Sequence, residues 1–259
     1  MTDPGTTDSS PPDDARRILI LGGTGEARAL ASTLSESGIG FISSLAGRVN
    51  DPRLPVGPVR IGGFGGSDGL RGWLQSNRIQ AVVDATHPFA ATITRNAARA
   101  TADAGLPLLR LRRDPWVPGD SDTWIRVPDL PSAAREVAAR GGRVFLTTGR
   151  QDVGVFAGIE SAWFLIRVVD APTGALPPHH EVVRSRGPYD HASESRLLRD
   201  NDIDMLVTKN SGGPLTSAKL AAAAELGIEV IMVDRPAEPD SAVVSEVGAA
   251  RDWLEALLG

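Results

Sequence analysis

The chain has 259 residues, 41% of them hydrophobic and 23% charged, a composition that is ordinary for a globular protein with a buried core. Its formal net charge of -5 argues against a general nucleic-acid or membrane-surface binder, because such proteins need an extended basic field. The chain contains no cysteine, which excludes disulfides, thiolate metal sites and a cysteine nucleophile. No signal peptide or spanning segment is apparent, so we expect a cytoplasmic protein with no membrane partner and no metal site.

The first half of the chain alternates strands with helices. Residues 1–15 are rich in Pro, Asp, Ser and Thr without a hydrophobic period, which predicts a disordered tail. Alternation of strand and helix then favours a parallel sheet with helices on both faces. Strands are predicted at residues 18–21, 40–44, 59–61, 80–83 and 108–111, and helices at residues 27–34, 68–76 and 88–104.

A second alternating series follows residues 112–122, whose Pro, Gly and Asp suit a link between two units. The predicted fold is α/β, with two Rossmann-like, doubly wound parallel-sheet domains flanking a cleft, over residues 16–115 and 123–259. In the second domain, strands are predicted at residues 123–127, 143–147, 163–169, 205–208 and 229–233, and helices at residues 130–139, 189–200, 214–226 and 246–258.

A glycine-rich turn leads from the first strand into the first helix. Its backbone N–H groups and the helix N-terminus suit a pyrophosphate, which predicts nucleotide binding. The alternative is a tight turn in a sheet that binds no nucleotide. The residues of this turn are Gly22, Gly23, Thr24, Gly25 and Glu26.

The end of the second predicted strand bears on which nicotinamide cofactor is bound. An acidic residue at this place hydrogen-bonds a free ribose 2′-hydroxyl in NAD-binding domains. Here the chain instead carries Ser43, Ser44 and Arg48, which suit a 2′-phosphate and favour NADPH over NADH. Arg48 is equally compatible with a solvated loop charge.

The loop after the strand at residues 80–83 contains Thr86, His87 and Pro88. Loops at this edge of an open α/β sheet bind ligands, so these residues are expected to contact cofactor or substrate. Local structure alone also explains them, because Pro88 suits a helix start with Thr86 or His87 as its cap.

Loops in the second domain combine backbone donors, hydroxyls and cations, which are the groups needed to hold carboxylates. Several such loops at one edge would suit a ligand with many acidic groups, although each alone could be an ordinary turn or a surface charge. The candidate substrate-binding residues are Thr148, Gly149, Arg150, Arg186, Tyr189, Lys209, Asn210, Ser211, Gly212, Gly213 and Arg235.

The ordered set of motifs resembles the precorrin-6A reductase family from about residue 17 to the C-terminus. The resemblance implies NADPH in the first domain, a small-molecule tetrapyrrole bound across the cleft, and hydride transfer to the C18–C19 double bond, giving precorrin-6B in cobalamin biosynthesis. The accompanying proton could come from His87, Lys209, a water or the substrate. The motifs that carry the resemblance are residues 21–28, 46–48, 84–90, 148–150, 186–188, 209–213 and 234–236.

Other readings of the sequence differ in the chemistry they require. A short-chain dehydrogenase needs a lysine four residues after its tyrosine, but Ser193 stands at that spacing from Tyr189. A sensor that binds NADP(H) or a tetrapyrrole without turnover stays open, as does a reductase of the cobalt-containing substrate. The sequence does not fix the oligomeric state.

Overall fold

The computed structural model describes residues 17–47 and 53–259, which form two six-stranded sheets. The strand pairings are all parallel, and helices cover both faces, so the predicted fold class is confirmed. The tail predicted for residues 1–15 lies outside the described residues, as does Arg48. Within the described ranges, no helix has the length and apolar character needed to cross a membrane.

The first sheet is built mainly from the N-terminal half of the chain. Its strands are β1 (Arg17–Leu21), β2 (Phe41–Leu45), β3 (Val59–Ile61), β4 (Ile79–Asp84), β5 (Leu108–Leu111) and β12 (Ala242–Val244), and its helices are α1 (Gly25–Glu36), α2 (Gly66–Ser76), α3 (Ala91–Ala104) and α7 (Val247–Leu258). The spatial order is β12-β5-β4-β1-β2-β3.

The second sheet has the order β6-β11-β10-β7-β8-β9. Its strands are β6 (Trp124–Val127), β7 (Gly142–Leu146), β8 (Ala162–Val168), β9 (His180–Arg184), β10 (Met205–Lys209) and β11 (Glu229–Val233), and its helices are α4 (Leu130–Arg140), α5 (His191–Asp200) and α6 (Ala218–Leu226). Two short 3-10 turns, Val153–Phe156 and Pro214–Thr216, stand at its carboxyl edge.

Each sheet has a separate hydrophobic core on each face. In β1, Ile18 and Ile20 pack in one core with α1 and α7, while Leu19 and Leu21 pack in the other with α2 and α3. Successive strand residues point to opposite faces, so a strand covered on both sides must be apolar throughout. This explains the continuous apolar run at the start of the first unit.

The C-terminal boundary predicted for the second domain is wrong. Strand β12 pairs in parallel with β5, and Ala250 and Leu254 of α7 pack in the same core as Ile18 and Leu30. Residues 242–258 therefore complete the first sheet, and the chain crosses between the sheets twice, at residues 112–123 and 234–241. The three-residue strand carries too short a pattern to reveal its partner in the sequence.

Smaller differences also separate the structure from the predicted elements. Strand β9 lies where the sequence analysis predicted no strand. Helix α3 begins at Ala91 with Ala90 as its cap, so Pro88 is not in its first turn and neither Thr86 nor His87 caps it. The helix predicted at residues 214–226 is divided into a 3-10 turn and α6.

A cluster of charged side chains holds the second crossing, residues 234–241, against the first sheet. Glu238 lies 2.9 Å from Arg110 Nη1 and also pairs with Arg112, while Arg110, only 4% exposed, lies 3.9 Å from Asp84. Burial raises the pKa of Glu238, but the Arg110 hydrogen bond and the charges of Arg110, Arg112 and Arg235 outweigh it, so the pKa is lowered overall. The charged carboxylate therefore stabilises the fold above its unfolded pKa, and this contribution is lost as the pH falls through the folded pKa.

We predict that Glu238→Gln lowers the free energy of unfolding by about 2 kcal/mol at neutral pH, between the values typical of exposed and of buried pairs. Urea unfolding should show this loss shrinking as the pH falls below the ordinary glutamate pKa of about 4.3, because the unfolded chain then binds a proton that the folded Glu238 still excludes. Glu136→Gln removes an exposed pair with Arg140 and serves as the control. Equal losses in the two variants would contradict the role of Glu238.

Candidate active site

Loops from both sheets meet at the carboxyl ends of their central strands. Leu215, in the segment between β10 and α6, approaches the glycine turn so closely that a Cβ at Gly25 would lie 3.4 Å from its Cδ1. Phe89, after β4, packs against a core of the second sheet, and Lys209 Nζ lies 5.2 Å from the centre of its ring. The sheets therefore face each other across a cleft at the edge where open α/β sheets bind ligands.

The glycine turn after β1 leaves the N-terminus of α1 open. Thr24 caps the helix by accepting a hydrogen bond from Ala27 N at 3.1 Å, and its hydroxyl donates to Ala85 O at 2.7 Å. Gly23 has φ of +114°, and none of the described residues lies within 4 Å of the position its Cβ would take. The other N–H groups of the first helical turn have no partner within the helix, so this turn is a suitable anion site.

A small pocket beside the turn contains a buried hydroxyl group. Ser43 is 2% exposed, and its Oγ has no hydrogen-bond partner among the described residues. Ser44 differs, since its Oγ accepts from Arg60 Nη1 at 3.4 Å. Among the described residues, two cations and no carboxylate line the pocket, and these lining residues are Gly22, Gly23, Ala27, Arg28, Ser43, Leu45, Arg53 and Pro55.

The loop after β4 is organised by Asp84, which is 3% exposed. Its Oδ1 accepts from Thr86 N at 3.1 Å and from Thr86 Oγ1 at 2.7 Å, and its Oδ2 accepts from Thr94 Oγ1 at 2.7 Å. Thr86 is thus turned toward Asp84, and its hydroxyl donates within the protein. Pro88 is buried in the same loop.

His87 is partly buried among positive charges. Burial, followed by the charges of Arg113, Lys209, Arg235 and Lys219, lowers its pKa from 6.5 to about 3. Its Nδ1 accepts a hydrogen bond from Phe89 N at 3.2 Å, so the proton of the neutral ring is on Nε2. His87 is therefore a neutral hydrogen-bond donor at physiological pH rather than a charged acid.

The loop after β7 contains the predicted Thr148, Gly149 and Arg150. Thr148 is 4% exposed, and its Oγ1 has no hydrogen-bond partner among the described residues. Gly149 has φ of +93°, which favours glycine, and no described residue lies within 4 Å of its Cβ position. Arg150 Nη1 lies 3.8 Å from Asp170.

Lys209 and Asn210 have partners that the sequence analysis did not identify. Lys209 Nζ pairs with Asp152, just before the 3-10 turn at Val153–Phe156. The Asn210 amide accepts from Trp116 N at 2.8 Å and donates to Trp116 O at 3.1 Å. These two bonds hold the first crossing, residues 112–123, against the loop after β10.

The remaining residues of the loop after β10 contact both crossings. Ser211 O accepts from Arg113 Nε at 2.8 Å and from Arg235 Nη2 at 3.2 Å. A Cβ at Gly212 would lie 2.1 Å from Asp114 O, and one at Gly213 would lie 2.6 Å from Arg113 Cδ. These glycines allow the first crossing to pass close to the loop.

Arg235, in the second crossing, donates hydrogen bonds to the loop after β10. Its Nε donates to Asn210 O at 2.9 Å, while its buried Nη1 has no partner among the described residues. Burial, together with the charges of Arg112 and Arg113, lowers the pKa of Arg235 to about 10, although Glu238 and Asp114 oppose the shift. The guanidinium therefore remains charged, and the two N–H groups of its Nη1 are not paired with any described residue.

Tyr189 is partly buried and packs against the buried pair of Arg167 and Glu194. Its hydroxyl donates to Ser185 O at 3.0 Å, and its ring covers the Arg167 guanidinium at 3.8 Å. Arg167 in turn donates two hydrogen bonds, of 2.5 and 2.9 Å, to Glu194. Arg186, by contrast, is exposed.

Lys219 stands near the buried pair of Arg167 and Glu194, and the sequence analysis did not propose it as a site residue. It is 4% exposed, donates to Thr216 O at 2.6 Å and lies 4.6 Å from the Trp116 ring. Burial lowers its pKa to about 7, assisted by the charges of Arg167 and Arg113 and opposed by Glu194.

Comparison with known proteins identifies the family of this chain. Residues 17–255 match the family model described as precorrin-6x reductase CbiJ/CobK. A precorrin-6A reductase of Mycobacterium tuberculosis is 57% identical over 93% of this chain and 98% of its own length. A cobalt-precorrin-6A reductase of Priestia megaterium is 28% identical over 85% and 90% of the two chains. A solved CobK precorrin-6A reductase superposes with a TM-score of 0.88 at 41% identity, covering 93% of this chain and 97% of the other.

We predict that His87 stays neutral across the physiological range. Its folded pKa of about 3 lies below the ordinary 6.5, so the unfolded chain binds more protons between these values. The stability contributed by the neutral ring is therefore complete above pH 6.5 and is lost as the pH falls toward 3. Nitrogen-15 NMR should detect an Nε2–H tautomer that does not titrate between about pH 5 and 8, the range in which an unperturbed histidine titrates.

The His87→Asn variant assigns the NMR signals by removing one set. Titration of that set near the ordinary histidine pKa would refute the neutral assignment.

Proposed function

This chain belongs to the precorrin-6x reductase family, and we propose that it uses NADPH to reduce the C18–C19 double bond of metal-free precorrin-6A, giving precorrin-6B in cobalamin biosynthesis. The observation that carries the proposal is the cleft at which an open helix N-terminus of one sheet faces the cationic loops of the other. The chemistry requires both sides, because a hydride donor must be held against the substrate carbon in a site that excludes water.

The first sheet has the groups that a dinucleotide needs. The pyrophosphate would lie at the N-terminus of α1, where Gly23 leaves room for it and the helix dipole favours negative charge. Ser43 Oγ, buried without a partner among the described residues, supplies a hydroxyl for the adenosine ribose region. When bound, NADPH supplies the hydride from its nicotinamide ring.

A preference for the 2′-phosphate is supported by the pocket beside the turn. Arg28 and Arg53 line this pocket together with Ser43, and none of the described residues that line it is an Asp or Glu that would bind a free 2′-hydroxyl. Arg60 already donates hydrogen bonds to Gly62 O and Gly63 O, both at 2.6 Å, and is less suited to binding the 2′-phosphate. We propose that Arg53 acts with Arg48 in binding the 2′-phosphate.

The second sheet suits a flat macrocycle with many carboxylates. Thr148 Oγ1 and Arg235 Nη1 are buried donors that have no partner among the described residues, and each suits a carboxylate oxygen. Val155, Val169 and Leu215 are exposed apolar side chains near the same edge and would pack against the ring. An anionic, largely apolar ligand matches both sets of groups.

Of the two candidate catalytic residues, Lys209 is the better proton donor. It carries an ammonium group held by Asp152 beside Phe89, whereas His87 is neutral at physiological pH. We propose that Lys209 delivers the proton to the carbon next to the one that accepts the hydride. His87 then orients the cofactor or substrate through its Nε2–H.

The metal-free substrate is favoured by the relatives. The Mycobacterium tuberculosis protein, at 57% identity, is named for precorrin-6A, and the Priestia megaterium protein, at 28%, for the cobalt form. The test is oxidation of NADPH by the purified protein with each macrocycle in turn, followed together with the macrocycle spectrum. Turnover of the cobalt form alone would reassign the substrate, and binding without oxidation would support a sensor.

We predict that Arg48→Ala and Arg53→Ala each weaken NADPH binding about tenfold or more while changing NADH binding little, because each removes a charged hydrogen bond to the 2′-phosphate. Titration calorimetry with both nucleotides measures the difference. Arg99→Ala, at an exposed i,i+4 pair, is the matched control. Equal effects on NADPH and NADH would remove these arginines from the 2′-phosphate site.

We predict that Lys209→Ala weakens binding of precorrin-6A roughly 10- to 100-fold and leaves the affinity for NADPH unchanged, because it removes a cation facing the macrocycle. The double variant Lys209→Ala/Asp152→Asn distinguishes this loss from the effect of leaving Asp152 unpaired. Spectroscopic titration with the macrocycle is the measurement. Unchanged macrocycle affinity in both variants would place Lys209 outside the substrate site.

A further inference from the structure

We propose that Arg113 is a positioning residue that neutralises Glu26 beside the cofactor and, through the same guanidinium, couples cofactor binding to substrate binding. The inference rests on the proposed function, since it concerns the same cleft. No motif in the sequence analysis pointed to Arg113.

The geometry joins three parts of the chain through one side chain. Arg113 follows β5 at the start of the first crossing, and its Nη1 lies 3.3 and 3.4 Å from the two carboxylate oxygens of Glu26. Its Nε donates to Ser211 O at 2.8 Å. The side chains of Arg113 and Glu26 are 17% and 20% exposed, so solvent screens this pair only in part.

The position of Glu26 makes its neutralisation matter for an anionic ligand. Glu26 lies in the first turn of α1, the helix end proposed to hold the pyrophosphate. A carboxylate there stabilises the helix, but it also repels a second anion at the same end. With Arg113 in place the local charge is balanced, and the helix N-terminus can accept the phosphates.

The coupling between cofactor and substrate binding follows from the position of Arg113 in the first crossing. It reaches Glu26 only when the first crossing lies against the loop after β10, where Gly213 allows close contact with its Cδ. That arrangement also fixes Ser211 O in the proposed substrate loop. A cofactor that favours the paired arrangement should therefore help the substrate to bind, and by thermodynamic reciprocity the substrate should help the cofactor equally.

The loop keeps other anchors when Arg113 is changed. Arg235 donates to both Asn210 O and Ser211 O, and Trp116 holds Asn210 and Gly213 O. Variants at Arg113 are therefore expected to fold, so their binding constants can be interpreted.

The experiment is a double-mutant cycle on the full chain with NADP⁺ as the probe, which binds without turnover. Arg113→Ala is expected to raise the Kd for NADP⁺ about tenfold, because Glu26 is left unneutralised. Adding Glu26→Gln to this variant should restore the Kd to within about threefold, since the repelling charge is gone. Arg126→Ala, at an exposed pair with Asp234, is the control and should bind as the parent does.

Coupling is measured separately, as the change in precorrin-6A affinity when NADP⁺ is saturating. The parent should show a positive factor of roughly fivefold or more, within the usual range for coupled sites. The factor should fall toward one in Arg113→Ala, in Glu26→Gln and in the double variant, because each breaks the connection. Glu26→Gln alone removes the charge that repels the cofactor and should tighten NADP⁺ binding, so a loss of coupling in this variant cannot be a loss of affinity.

The outcomes distinguish this inference from the proposed function. If the parent binds NADP⁺ but Glu26→Gln fails to rescue Arg113→Ala, Arg113 has only a structural role and the inference is overturned. A parent that shows no coupling overturns it as well. If the parent does not bind NADP⁺, the cofactor assignment is wrong and the inference fails with it.

Discussion

The cleft depends on one backbone carbonyl, that of Ser211, which accepts hydrogen bonds from arginines on both segments that cross between the sheets. Arg113 comes from the first crossing and Arg235 from the second, and each cation satisfies part of its hydrogen-bonding capacity on the same loop. Such charge-assisted bonds are stronger than bonds between neutral groups. The loop of the second sheet, and with it Lys209, is therefore fixed relative to the first sheet.

This anchoring explains why several polar residues of the cleft have structural roles. The Asn210 amide is engaged with Trp116, the Tyr189 ring covers Arg167, and the Thr24 hydroxyl links the turn after β1 to the loop after β4. A site that must hold a hydride donor and an acceptor in register needs support of this kind, because small displacements cost much of the rate. Ser43, Thr148 and Arg235 each keep a buried donor that has no partner among the described residues.

Much of the fold could be predicted because parallel strands covered on both faces are apolar throughout and end in glycine turns. The run at Ile18 to Leu21 and the strand at Glu229–Val233 carry that signal directly. Strand β12 does not, since three residues of a partly exposed edge strand give no period to read. The assignment of residues 242–258 to the first sheet depends on pairing with β5, a long-range contact that local pattern does not encode.

The sequence could predict which loops form the candidate site, but not the contacts that each of their residues makes. Glycine turns at strand ends identified the loops, since the carboxyl ends of parallel strands lie at one edge. The same residue types serve equally to bind a ligand or to hold a neighbouring segment. The sequence therefore could not show that Gly213 lies against Arg113 of the first crossing, whereas no described residue lies near the Cβ position of Gly149. Asp152 and Arg113 were missed because their partners, Lys209 and Glu26, are distant in the chain. Arg167 lies inside the apolar strand Ala162–Val168. An arginine at such a position indicates a buried ion pair, and here its partner is Glu194.

The return of the chain to the first sheet has a consequence for synthesis on the ribosome. The first sheet begins at Arg17 but lacks an edge strand and a covering helix until residues 242–258 have been made. The second sheet, whose strands all lie between Trp124 and Val233, is complete earlier. The N-terminal unit must therefore wait, with part of one face uncovered, until the C-terminus emerges, which reverses the usual order in which domains mature during translation.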